Sequence, residues 1–104
     1  YGHNLNIILP DDCDDDNFFQ ALDRALERIT DFNPRHLIVS MGFDTFREDP
    51  LGDFRVSGSA FGKIGAKLRA CGYPTVTVLE GGYDVDDLGS NAVNYAEGIF
   101  DLTS

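Results

Sequence analysis

Basic residues are scarce in this sequence, which has eight lysines and arginines against 18 aspartates and glutamates and a formal net charge of −10. Proteins that bind nucleic acid need a clustered patch of Lys and Arg, and no such patch occurs here. We therefore expect no nucleic-acid partner. The long-range field of an acidic protein attracts cationic small molecules and basic peptides instead.

Long apolar runs are also missing. No run approaches the roughly 20 residues that cross a bilayer, so we expect no membrane partner. The first four residues, YGHN, show neither the basic patch nor the apolar segment of a secretory signal. The sequence begins without methionine and almost directly in a strand-like run, from which we expect a fragment of a longer protein.

Cysteine is rare as well, with Cys13 and Cys71 as the two examples. They form neither a Cys-x-x-Cys pair nor a disulfide framework. Cys71 falls on the apolar stripe of a predicted helix, where a free cysteine acts as a small buried hydrophobe. A reducing compartment, the cytoplasm, fits this usage.

The apolar pattern alternates between strand and helix three times. Strands are predicted over residues 5–9, 37–39 and 75–79, and the all-apolar second run is typical of a strand covered on both faces. Helices are predicted to begin near Asp14, Ser57 and Asp84, and the first two to end at Asn33 and Gly72. The order β-α-β-α-β-α predicts an α/β fold with a parallel sheet in a single domain, residues 1–104.

Ligands of open parallel sheets bind at the carboxyl ends of the strands, which directs attention to residues 10–16, 42–56 and 80–84. The acidic run in the first loop lacks the spacing of a calcium loop and is better explained as a helix cap. Asp44 is the first acid after the second strand. It either points into the crevice or accepts hydrogen bonds from loop amides, whereas Asp49 is typical of a turn.

The third loop reads Glu80-Gly81-Gly82-Tyr83. Glycine permits a positive φ or a close approach of the backbone, and Tyr83 is either a core aromatic or a side chain presented to a ligand. An acid and a phenol that converge at strand ends suit a Lewis-acid hydrolase, in which the carboxylate holds a metal and the phenol donates to a developing oxyanion.

Two segments, GFDTFREDPL at residues 42–51 and EGGY at residues 80–83, resemble the C-terminal half of the histone deacetylase and acetylpolyamine amidohydrolase superfamily. HNLNI at residues 3–7 and NAVN at residues 91–94 support the match, and the pattern is most similar to the bacterial acetylpolyamine branch. The resemblance implies a three-layer, arginase/deacetylase-like α/β domain of which this chain is the C-terminal portion.

The resemblance also assigns roles to individual residues. Asp44 corresponds to a zinc ligand, and Tyr83 to the tyrosine that hydrogen-bonds the acetyl carbonyl. Leu51 corresponds to a residue that lines the acyl-lysine tunnel, and Gly81 and Gly82 to the turn that presents the tyrosine to substrate. The implied reaction is zinc-assisted hydrolysis of acetylated polyamines or acetyl-lysine, with a histidine as general base.

The sequence departs from the family in its histidines. The family's zinc site uses Asp, His and Asp, with a tandem His-His pair as bases, but this chain has His3 and His36 alone, in neither context. Catalytic zinc takes three protein ligands, so we expect the isolated chain neither to hold zinc tightly nor to hydrolyse amides. The alternative is a freestanding noncatalytic α/β module. In either case exposed strand edges favour a homo-oligomer.

Overall fold

A computed structural model describes residues 3–49 and 54–101. Within these ranges the chain forms three α-helices, two strands and one short 3-10 turn. The elements are α1 (Asp15–Phe32), β1 (Leu37–Met41), the 3-10 turn (Phe43–Thr45), α2 (Gly58–Ala70), β2 (Thr75–Leu79) and α3 (Leu88–Phe100). The strands pair in parallel, with Leu37 opposite Thr75 and Met41 opposite Leu79. The α/β class and the parallel sheet are confirmed, and none of the described helices is long and apolar enough to cross a membrane.

Local capping residues set the helix ends, as the sequence predicted for α1 and α2. The Asp14 carboxylate accepts the amide of Asn17 at 3.0 Å and completes a capping box at the start of α1. Ser57 Oγ accepts the amide of Ala60 at 3.3 Å at the start of α2. Past the end of α2, Gly72 takes a φ of 80°, the left-handed conformation that commonly ends a helix.

The start predicted for α3 was wrong by one turn, because the helix begins at Leu88. The Asp84 carboxylate does accept a backbone amide, but from Asp86 at 3.2 Å. Its carbonyl accepts the amide of Leu88 at 2.9 Å. Asp84 therefore caps a turn that leads into the helix.

The strand predicted over residues 5–9 was also wrong, since the described sheet contains β1 and β2 alone. Leu5, Ile7 and Leu9 are half-buried while Ile8 is 94% exposed. The alternation is therefore real, but it lies in an extended segment that pairs with neither strand. A strand needs a partner for its backbone groups, and alternation cannot reveal whether one is present.

The core lies between the sheet and helices α2 and α3. Phe61 on α2 is fully buried and packs edge-on against Phe43, with ring centroids 4.9 Å apart. Tyr95 on α3 is buried, and its hydroxyl lies 2.7 Å from Thr77 Oγ1 on β2. The other buried members are Met41, Phe46, Val56, Ala60, Ile64, Leu68 and Ile99.

One face of the sheet carries exposed apolar side chains. Leu37 and Val39 pack towards the core, but Ile38 is 75% exposed, Val76 62% and Val78 50%. The prediction that residues 37–39 are covered on both faces was therefore wrong for the described residues, which form two layers. We call Ile38, Val76 and Val78 the open sheet face.

Candidate active site

The loops that follow β1 and β2 are tied together at the carboxyl edge of the sheet. The Glu80 amide donates to the Met41 carbonyl at 3.0 Å, and the Phe43 amide donates to the Gly81 carbonyl at 3.2 Å. Parallel strands end at the same edge, and these two hydrogen bonds extend the pairing into the loops. The segments that carry Asp44 and Tyr83 consequently lie side by side, as the sequence predicted.

Asp44 sits in the 3-10 turn, directly after the core residue Phe43, and is half-buried. Its carboxylate lies close to Gly42 in its own loop and to Gly81 in the loop after β2. A methyl group on Gly81 would come within 3.2 Å of Asp44 Oδ2, and one on Gly42 within 2.7 Å of Oδ1. No described residue hydrogen-bonds or ion-pairs with this carboxylate. Of the two interpretations that the sequence left open, hydrogen bonding to loop amides is therefore not observed among the described residues.

The two glycines of the third loop are required by backbone shape and by space. Gly81 has a φ of 88° and Gly82 a φ of 127°, values that residues other than glycine rarely adopt. A methyl group on Gly82 would also stand 2.8 Å from Leu88 Cδ1 and 3.0 Å from Phe43 Cβ. The turn formed by Gly81 and Gly82 therefore packs directly against Phe43, the buried residue that precedes Asp44.

Tyr83 is presented to solvent, since its side chain is 50% exposed and no described residue bonds to its hydroxyl. Its position is fixed through the backbone, because the Tyr83 amide donates to Asp49 Oδ2 at 2.6 Å. Asp49 is 6% exposed. It was predicted as a turn residue, and sequence reasoning missed this contact across 34 positions.

Leu51, the predicted tunnel residue, lies outside the described residues. Neither histidine stands at the site: His3 packs against Phe32 with ring centroids 5.9 Å apart, and His36 is exposed just before β1.

The donor set determines what metal chemistry the chain can support. A half-buried carboxylate to which no described residue bonds suits a zinc ligand, and Asp44 provides one. Within residues 3–49 and 54–101 no group of three or more His, Cys, Asp or Glu side chains converges. Because catalytic zinc takes three protein ligands, Asp44 fits as part of such a site, and the described residues do not complete it.

Comparison with known proteins places these features in a family. Residues 1–99 match the model of the histone deacetylase domain. The chain is 37% identical over 97 residues to the acetylpolyamine amidohydrolase of Burkholderia pseudomallei (strain 1710b), covering 93% of this chain and 28% of that protein. It is 38% identical to acetylpolyamine amidohydrolase 1 of Pseudomonas aeruginosa, with the same coverage. The chain thus spans little more than a quarter of these curated relatives.

Solved structures agree with the sequence comparison. The crystal structure of acetylpolyamine aminohydrolase from Burkholderia pseudomallei superposes with a TM-score of 0.93 at 37% identity, over 97% of this chain and 30% of that one. The histone deacetylase Clr3 superposes with a TM-score of 0.85 at 28% identity, over 96% of this chain and 17% of that one.

Proposed function

Since the chain belongs to the histone deacetylase domain family, we propose that it is the C-terminal part of a cytoplasmic zinc-dependent amidohydrolase that removes acetyl groups from acetylpolyamines or acetyl-lysine. One observation carries the proposal. The Asp44 carboxylate, which bonds to none of the described residues, lies against Gly81, and two residues further on Tyr83 presents an exposed phenol. Several relatives are named acetylpolyamine amidohydrolase, which favours an acetylated amine as substrate.

Each residue of the site has a distinct task in this reaction. Asp44 would supply one carboxylate ligand to a zinc ion, which when bound would provide the Lewis acid that polarises the acetyl carbonyl. The Tyr83 hydroxyl donates a hydrogen bond to the carbonyl oxygen, where negative charge develops. Gly81 and Gly82 bring the backbone close to substrate, and Leu51 is proposed to line the acyl channel.

We also propose that the 104-residue chain alone is inactive. Asp44 is one of the three ligands that catalytic zinc requires, and the general base must come from outside the described residues. The remaining ligands and the base would lie in the part of the relatives that this chain does not span.

A chimera tests the assignment. This chain replaces the matching segment of the Burkholderia pseudomallei acetylpolyamine amidohydrolase, and acetate release is measured with acetylated polyamines and acetyl-lysine peptides. Removing a single oxyanion donor costs about 10²–10³ in kcat, so we expect a loss of this size from Tyr83→Phe. Tyr73→Phe is the matched control, because it removes a phenol before β2, at the opposite end of that strand.

The pair of variants separates chemistry from folding. Tyr83→Phe is expected to leave the melting temperature of the chimera unchanged, since no described residue bonds to the hydroxyl that it removes. Equal activity of the Tyr83→Phe and Tyr73→Phe chimeras would refute the role of Tyr83. A well-folded chimera that releases acetate from none of these substrates would refute the proposed reaction.

The open sheet face favours a second candidate function, a noncatalytic module that self-associates. Ile38, Val76 and Val78 form an apolar patch on the strands, and such patches pair readily with other chains. Light scattering of the isolated chain should then show a homo-oligomer that Val76→Lys with Val78→Lys dissociates. A monomer at every concentration would exclude this candidate.

A further inference from the structure

A polar cleft of about 550 Å³ lies between the first turns of α2 and α3. None of its lining residues belongs to the site formed by Asp44 and Tyr83. The wall from α3 carries Asp87, Ser90, Asn91 and Asn94, and the opposite side includes Glu48. The proposed hydrolysis gives none of these five residues a task.

Asn91 is the most informative residue of the cleft. It is 2% exposed, yet its carboxamide makes no hydrogen bond or other polar interaction with any other residue that the structure describes. Among the described residues no fully enclosed side-chain N or O atom lacks a partner. The amide atoms of Asn91 must therefore be reached from the cleft that they line. Leaving a buried polar group without a partner costs about 1–3 kcal/mol, so this amide is poised to bind a ligand.

The other polar groups of the α3 wall are mainly acceptors. Asn94 Nδ2 donates to the Gly58 carbonyl at 3.1 Å, which leaves Asn94 Oδ1 open. Ser90 Oγ donates its hydrogen to the Asp87 carbonyl at 3.0 Å, which leaves its lone pairs open. A ligand that matches this wall must bring hydrogen-bond donors.

The charge of the cleft is mainly negative, which favours a cationic ligand. Glu48 and Asp87 line it, and Arg47 is the cation among the described lining residues. The Arg47–Glu48 pair spans 3.9 Å between side chains that are 58% and 63% exposed, and such pairs contribute little. The Asp87 carboxylate makes no capping hydrogen bond to α3.

The pKa of Asp87 reflects the same crowding of negative charge. Loss of solvation raises this pKa, the charge of Asp84 and a side-chain hydrogen bond with Asp84 raise it further, and the charges of Asp86 and Glu48 add to the effect. Negative charge from three neighbouring carboxylates thus disfavours the charged form of Asp87, and a cation bound in the cleft would relieve this repulsion.

We propose that this cleft is a binding site for an organic ammonium cation, held by Glu48, Asp87 and the Asn91 amide. An ammonium group has three donors and no acceptor, which matches a wall of acceptors. A metal ion fits less well, because the described residues bring no three His, Cys, Asp or Glu side chains together. The proposal does not depend on amide hydrolysis, and it applies to the chain by itself.

The experiment is a titration of the ¹⁵N-labelled chain with 1,4-diaminobutane, followed by NMR at the Asn91 side-chain amide. We expect a saturable shift of that signal. Asp87→Asn should weaken binding by about tenfold, the effect of losing one charge-assisted hydrogen bond. Asp31→Asn is the matched control, since it removes the same charge from an exposed site on α1 and should leave the affinity unchanged.

Several outcomes would overturn the proposal. One is a shift that never saturates, or one that Asp87→Asn and Asp31→Asn weaken equally, because either indicates a general ion atmosphere. Another is saturation by calcium chloride but not by the diamine, which would identify a metal site. Asn91→Ala is left out of the primary test because Asn91 is buried; Glu48→Gln, at an exposed position, serves as the second variant and should also weaken binding.

Discussion

Asp49 offers the sharpest test of how the Tyr83 turn is held in place. This carboxylate is 6% exposed, and its Oδ2 accepts the Tyr83 amide at 2.6 Å. Hydrogen bonds to charged groups contribute about 1.5–3 kcal/mol to stability. We therefore expect Asp49→Ala to lower the free energy of unfolding by about 2–3 kcal/mol, because it also leaves the Tyr83 amide without its acceptor.

The conservative variant divides this loss into two parts. Asp49→Asn keeps the side-chain volume and an acceptor oxygen but removes the charge. Charge-assisted hydrogen bonds are roughly twice as strong as neutral ones, so about half of the loss should remain in this variant. For a domain of this size about 1 kcal/mol corresponds to a shift of about 4–8 °C in Tm.

Two measurements on the same samples check the reasoning. Urea unfolding followed by circular dichroism gives the free energies, and hydrogen exchange reports whether the Tyr83 amide loses protection. Asp31→Ala is the control and should stay within about 0.5 kcal/mol of the parent, as surface substitutions usually do. A stability for Asp49→Ala equal to this control, with unchanged protection of the Tyr83 amide, would refute the reasoning.

Three further predictions concern positions outside that hydrogen bond. Gly82→Ala should lower the free energy of unfolding by about 1–3 kcal/mol because φ is 127° at this position. Gly89→Ala should raise it by about 0.5–1 kcal/mol, because Gly89 lies in a helix with open space around it. Equal Tm shifts of the two variants would contradict this prediction. Burial raises the pKa of Tyr95 above its ordinary value of 10.0, so the folded state holds the proton longer and stability should fall as the pH rises past 10.0. Tyr95→Phe should lose stability less steeply there, and parallel alkaline unfolding curves would count against the assignment. Burial and the charge of Asp14 raise the pKa of the fully buried Cys13. A thiol reagent at pH about 8 should therefore label the half-exposed Cys71 and spare Cys13 until urea unfolds the chain. Equal labelling of the two cysteines in the folded chain would contradict this.

The sequence predicted the elements whose signals are local. Strand β2 was located to the residue because Pro74 precedes the β-branched run and glycines follow it. Helix α2 was located equally well from the Ser57 cap and Gly72. Both signals act through neighbouring residues, which is why no knowledge of the tertiary fold was needed.

Elements that depend on distant partners could not be predicted in the same way. The alternation of Leu5, Ile7 and Leu9 survives as alternating burial, but it cannot reveal whether a strand lies beside it. The exposure of Ile38 could not be predicted for the same reason. An apolar run indicates a strand that can be buried on both faces, but it does not show whether another element packs against each face.

The candidate site divides along the same line. That the segments carrying Asp44 and Tyr83 lie side by side followed from the rule that parallel strands end at one edge. The contact between Asp49 and the Tyr83 amide joins two loops through a side chain, and the unpartnered Asn91 depends on how α2 and α3 pack. Neither the Asp49–Tyr83 contact nor the environment of Asn91 can be inferred from the spacing of residues in the sequence.

Zinc content provides the most direct test of the central claim, that this chain carries one ligand of a site completed elsewhere. The dialysed chimera, its Asp44→Asn and Asp31→Asn variants and the isolated chain are compared by metal analysis. We expect one equivalent of zinc in the chimera and in Asp31→Asn, and little in Asp44→Asn and in the isolated chain. Zinc retained by a folded Asp44→Asn chimera, or held in stoichiometric amount by the isolated chain, would contradict the account.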